Sequence, residues 1–281
     1  MFNAIRMELY RMFKSRGFYV MGIIMAAAVF FTAYTEREWA EMVAEDGEYG
    51  YETVIVDAES MTIGMNVEAV TEPGKKITVG DMLFANMKAK FFALFMVIFA
   101  VDFSIADINS GYIKNIGGQV SHRWKLVVAK AAALLAYTVL CMVSFVILQM
   151  LANRVFFGYV HMGDGAVLAR YMLTQAFLHF ALLMVCMAVT IFLRSRAVSM
   201  IIAVFLCMNV QVILYGFIDK LITKVMDKDF HVAEYTVTGK IELLPLDMTG
   251  RAGMGAIAVA AGFVVVMMAA GILNFEKRDI V

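Results

Sequence analysis

Six stretches of this chain are apolar for long enough to cross a bilayer, and no other feature of it restricts the possible folds as much. A helix rises about 1.5 Å per residue, so about 20 apolar residues span the hydrocarbon core. The stretches cover about 17–34, 87–106, 126–152, 171–193, 198–218 and 255–275. None alternates polar and apolar residues with the two-residue period of a barrel strand, and only helices and closed barrels satisfy their own backbone hydrogen bonds in lipid. The expected fold is therefore an all-α membrane protein with six transmembrane helices. Composition agrees. Hydrophobic residues make up 62% of the chain and charged ones 17%, against about 45–50% and about 25% in soluble domains. Lys88 and Lys90, at the start of the second stretch, are expected to snorkel to the interface. The first stretch is read as a span rather than a cleavable signal, because no convincing small-residue cleavage site follows Thr35.

Charge placement sets the expected orientation, because lysine and arginine in short loops favour the cytoplasmic side. Arg6, Arg11, Lys14 and Arg16 precede the first stretch, and Lys114, Arg123 and Lys125 lie between the second and third. Arg194 and Arg196 lie between the fourth and fifth, and Lys277 and Arg278 close the chain. In a six-span layout all four places share one side, which predicts two cytoplasmic termini. The segment 35–81 then lies outside, with twelve acidic residues against three basic ones. It reads as a solvated outer loop, or more sharply as an electrostatic funnel for a cationic substrate. Strand-like pieces at Thr53–Val56 and Lys76–Val79 flank a Pro73-Gly74 turn and predict a small folded cap. A second outer segment, 219–254, contains a Leu243-Leu244-Pro245 break and reads as partly re-entrant.

The first sixteen residues have a pattern of their own. Phe2, Ile5, Leu9, Met12 and Phe13 recur at helical spacing while Arg6, Glu8 and Arg11 face elsewhere. That is the signature of an amphipathic helix lying in the inner interface, its basic residues near anionic headgroups. The bend into the first span is expected at Lys14 to Gly17. The 24 methionines read as pliable packing, and Cys141, Cys186 and Cys207, each inside an apolar run, as small core hydrophobes.

Several function classes lose support at once. The chain has no G-x-x-x-x-G-K-[ST] string, so it lacks a phosphate-cradling loop for ATP. His122, His161, His179 and His231 are scattered, and no metal site is expected. No hydrolase motif is present, so no enzyme chemistry is expected. The formal net charge is zero, and bulk electrostatics names no nucleic-acid partner.

What remains is the polar stretch from Asp107 to Lys130, between the second and third apolar segments. Asp107 to Ile116 can prolong the second helix, Gly117-Gly118 breaks it, and Ser121 is placed to cap the next one. This predicts a short, stiff cytoplasmic protrusion with Tyr112, Ile113 and Ile116 exposed, a pattern suited to docking another protein. The stretch resembles the corresponding region of type-2 ABC transporter permeases, the bacterial six-span exporters. That family carries an acidic residue four positions before Gly-Thr-Ile-Lys-Asn, then a basic-aromatic start to the third helix. Asp107, Gly111, Ile113, Lys114 and Asn115 fit, as do Arg123, Lys125 and Lys130. Asp107 stands for the usual glutamate and Tyr112 for the usual threonine. The N-terminal MELYRMFKSRGFYV resembles the family's connecting helix, and the terminal NFEKRDIV resembles its Phe-Lys-Lys-Arg-Asp-Ile ending.

The resemblance implies a permease subunit in a bacterial plasma membrane that dimerises with an identical or related chain. Each copy would bind a separate ATPase through a coupling helix at Asp107, Gly111, Tyr112, Ile113, Lys114, Asn115 and Ile116. ATP and magnesium would belong to that ATPase, with no cofactor in this chain. The substrate class would be an amphiphile such as an antimicrobial peptide, and the setting resistance or immunity. Polar residues inside the spans add candidates for a substrate path, namely Gln175, His179, Asn209 and Gln211, for which interhelical hydrogen bonding is the plainer role. Asp102 is placed near the inner interface. A membrane-bound sensor whose acidic outer loop binds a cationic ligand is the alternative from another functional class.

Overall fold

The computed structural model describes residues 1–46, 61–69, 76–109, 124–226 and 230–277. Among these, every regular element is helical. In chain order they are α1 (Phe2–Lys14), α2 (Arg16–Asp46), α3 (Val79–Lys88), α4 (Phe91–Asn109), α5 (Trp124–Phe156), α6 (Gly165–Leu193), α7 (Arg196–Cys207) and α8 (Val212–Met226). A 3₁₀ turn at Val232–Tyr235, then α9 (Val237–Leu243) and α10 (Gly250–Lys277), complete the series. Four helices, α2, α5, α6 and α10, are each long and apolar enough to cross a membrane. Two bent pairs, α3 with α4 and α7 with α8, reach that length only if each pair counts as one span. The protein is thus an all-helical, multi-pass membrane protein.

Local chemistry explains where these helices start and stop. Ser15 is extended (φ −74°, ψ 132°) and ends α1, and its hydroxyl accepts the Phe18 N–H at 3.3 Å to start α2. α2 then runs well past residue 34, so the first part of the expected outer segment 35–81 is helical. The Thr35 hydroxyl bonds back to the Phe31 and Thr32 carbonyls, and Arg37 pairs with Glu41 at 2.7 Å one turn on. Glu, Arg, Ala and Met are good helix formers, and charge does not stop a helix once it has left the hydrocarbon. The strand expected at Lys76–Val79 is also corrected: Thr78 is the N-cap of α3, in a capping box with Asp81. The piece at Thr53–Val56 lies outside the described residues.

Two of the six expected spans fall on bent helix pairs. The second falls on α3 and α4, which start at Val79 and meet at a bend of 55°. Lys90, at that bend, has φ 56°, a left-handed conformation that interrupts the helix. The fifth falls on α7 and α8, which meet at a bend of 67°, where Asn209 has φ 59°. Elsewhere the ends are capped conventionally. Asp164 caps α6 through Ala166 and Val167, Arg194 ends it in the left-handed region (φ 51°), and Ser195 caps α7. The segment 219–254 folds inward in part, since Val237, Thr238, Gly239, Ile241 and Glu242 of α9 are buried.

Packing centres on α4 and α6. α10 lies along α6, α2 along α5, α1 across α5, and α4 against α6 and α7. Aromatic rings bind the layers: Phe92 stacks on Phe145 at 4.2 Å, and Phe99 meets Tyr137 at 4.3 Å. Buried hydroxyls of Thr32, Thr138, Thr174 and Thr190 bond to carbonyls three or four residues back, so they need no partner helix. Large apolar side chains such as Ile23, Phe31, Val143, Leu173, Phe217 and Val265 point outward. That surface suits lipid, where exposing it costs nothing.

Candidate functional site

Two polar constructions stand out in this apolar body, and the first surrounds the end of α4. Lys130 of α5, 6% exposed, donates to the Phe103 carbonyl at 3.1 Å and lies 4.4 Å over the Phe103 ring. It also reaches Glu8 of α1 at 3.5 Å, and Glu8 accepts from Arg11 at 3.1 Å. On the other flank Arg196 of α7 holds both oxygens of Asp102, at 2.7 and 3.0 Å. The last turns of α4 are therefore tied to α1 and α5 on one side and to α7 on the other. Between them lies a cavity of about 300 Å³, lined in part by Arg11, Ser15, Phe99, Asp102 and Arg196.

This corrects the expected face of α1. Glu8, predicted to face away from the apolar stripe, is buried together with Met12, while Phe2 and Phe13 are exposed. A carboxylate is tolerated there because two cations meet it, so α1 turns its Glu8–Met12 edge to the bundle. Asp107 continues α4 as expected of a prolonged second helix. Gly111, Tyr112, Ile113, Lys114, Asn115 and Ile116 lie outside the described residues, as does the proposed cap Ser121.

The second construction is buried. Lys90 was expected to snorkel, but it is 0% exposed. Its ammonium donates to Glu242 Oε2 at 2.7 Å and to Asn209 Oδ1. The three residues come from three interruptions of the chain: the α3–α4 bend, the short helix α9, and the α7–α8 bend. By helical rise, Lys90 lies about 18 Å along the chain from Asp102, and Asn209 about 20 Å from Arg196, the residues that carry the first construction.

Two of the four substrate-path candidates adjoin this cluster. Asn209 belongs to it directly. Gln175 of α6 bonds the Ile241 carbonyl at 3.0 Å and so fastens α9 from the other side, while also donating to the Tyr171 hydroxyl at 3.0 Å. His179 is one turn further along α6, its Nδ1 2.8 Å from the Gln175 carbonyl and its ring 6.1 Å from that of Phe92. Gln211 turns back on its own segment, bonding the Leu206 carbonyl at 3.1 Å. Sequence reasoning missed Lys90 and Glu242. The signal was there in Glu242, an acid among Ile241, Leu243 and Leu244 in a segment already read as partly re-entrant. Among the described residues no group of three His, Cys, Asp or Glu side chains could hold a metal ion.

A comparison with curated proteins finds no match to this chain. The family described as "Protein of unknown function (DUF2705)" matches residues 65–281. That range covers most of the chain and includes both polar constructions except Glu8 and Arg11, and the chain belongs to this family.

Proposed function

We propose that this chain is the membrane-spanning permease subunit of an ABC exporter that moves an amphiphilic substrate, such as an antimicrobial peptide, out of a bacterial cell. The observation that carries the reading is the junction at the end of α4. The polar stretch 107–116, which resembles the coupling helix of type-2 permeases, follows directly on a helix end tied to α1, α5 and α7. A push on that stretch reaches three other helices through named bonds rather than dissipating in a loose loop. Each of two permease chains would dock one ATPase subunit, with both termini and the 107–116 stretch on the cytoplasmic side and the acidic segment beyond α2 outside.

The test is capture of the partner. Isolated in mild detergent from its native membrane, the chain is expected to bring with it a protein carrying the G-x-x-x-x-G-K-[ST] phosphate loop. Ile113→Glu and Ile116→Glu are each expected to cut that capture at least tenfold at unchanged chain abundance, since truncating an interface anchor costs about 2 kcal/mol or more. Capture undiminished by either variant would rule out the docking role. A histidine kinase as the partner, with no ATPase, would favour the sensor reading instead.

A further inference from the structure

We propose that the Lys90–Glu242 ion pair, with Asn209, is a releasable latch: it pins the short helix α9 against the two bent helix pairs, and α9 lifts away from the bundle when the pair parts. This goes beyond the exporter reading and does not depend on it.

The cluster is placed where the chain can move. Lys90 and Asn209 stand at bends of 55° and 67°, and both hold positive φ, at 56° and 59°, a conformation that asparagine tolerates but lysine adopts only under constraint. Large φ/ψ changes in moving proteins are absorbed at such element ends. α9 is itself only seven residues long. Upstream, Thr236 caps it and Gly239 presses on the Ala233 carbonyl, so the 3₁₀ turn and α9 form one small unit. Downstream, Leu244 is extended because Pro245 follows, which gives a natural pivot. Besides the ion pair, neutral bonds hold this unit: Gln175 to the Ile241 carbonyl at 3.0 Å, and Tyr215 with Thr238 at 2.8 Å. The charged contact is the strongest of these holds.

Polar side-chain atoms also stand near the latch. Gln175 Oε1, His179 Nε2 and Gln211 Oε1 are buried and have no hydrogen-bond partner among the described residues. Each such atom regains a partner when water reaches it. Gln175 holds α9 and Gln211 sits at the α7–α8 bend, while His179 is one turn along α6 from Gln175 and faces Phe92. On the exporter reading, the lifted state would open the far side of the bundle from the 107–116 stretch.

The experiment is amide hydrogen exchange of the full chain in lipid nanodiscs, read separately over 237–243 and 165–193. Glu242→Gln and Lys90→Met are each expected to speed exchange of 237–243 at least tenfold and to leave 165–193 within twofold of the native chain. The double variant is expected within threefold of the faster single, because the two residues act as one unit. Unchanged exchange over 237–243 in the singles would overturn the latch. So would acceleration spread through 165–193, which would make the pair general glue, or a double variant matching the product of the singles, which would make the residues independent. Failure of the exporter reading would instead appear as absent ATPase capture, which this measurement does not involve.

Discussion

Single residues differ in consequence here by how much of them is buried and what meets them. Lys90→Met takes the cation from the Glu242 carboxylate, whereas Lys90→Met combined with Glu242→Met removes both charges and is expected closer to the native chain. Thermal unfolding of the detergent-purified chain checks this, with the double variant melting above the single. Arg196→Ala removes a bidentate pair of similar geometry, but its side chain is 64% exposed, so a loss of only about 0–1 kcal/mol is expected in the same assay. Glycines divide the same way. A Cβ on Gly239 would stand 2.0 Å from the Ala233 carbonyl oxygen, and Gly239→Ala is expected to lower stability by about 1–3 kcal/mol through overpacking. Gly262 has nothing within 4 Å of its added Cβ, so Gly262→Ala in the same assay is expected to be neutral or mildly stabilising, by up to about 1 kcal/mol.

Among the elements, α1 is attached to the bundle by polar as well as apolar contacts. Phe2 and Phe13 are exposed, Leu9 and Met12 pack on the bundle, and Glu8 meets Lys130. Glu8→Ala is therefore expected to free the element while leaving the spans intact. Amide exchange over 2–14 should rise at least tenfold, with exchange over 124–156 within twofold of native. Equal protection of 2–14 in the variant would show that apolar packing alone seats the helix. Phe2→Ser, at a side chain 89% exposed, is expected to leave both ranges unchanged. The two bent pairs depend on tertiary contacts in a different way, because each bend places a side chain that a partner elsewhere in the chain must meet.

At the scale of the whole molecule the prediction is topological. In the proposed orientation Ser60→Cys is outside and Ser195→Cys inside. Their reaction with an impermeant thiol reagent in intact cells is expected to be fast for the first and absent for the second. The native cysteines, all buried and free, set a low background. The reverse pattern would invert the proposed orientation, and equal labelling would end it. The purified chain freed of partners is likewise expected to show no ATP hydrolysis above a heat-inactivated control.

Apolar length and turn chemistry are local properties, and the chain's order of residues determined them. The four unbroken spans, the Ser15 hinge, and the start of α7 beside Ser195 all follow from runs of hydrophobic residues and from hydroxyls placed to cap them. The reach of α2 past Thr35 was also legible, in the Arg37–Glu41 spacing, but loop charge drew attention away from it. The buried cluster was not legible in this way. Lys90 meets Asn209 across 119 residues and Glu242 across 152, and no periodicity carries information over that distance. A lysine at the edge of an apolar run has a lower free energy at the interface unless an acid is brought to it inside the protein. Only the tertiary structure, by seating α9 between two bent helix pairs, decided that it was.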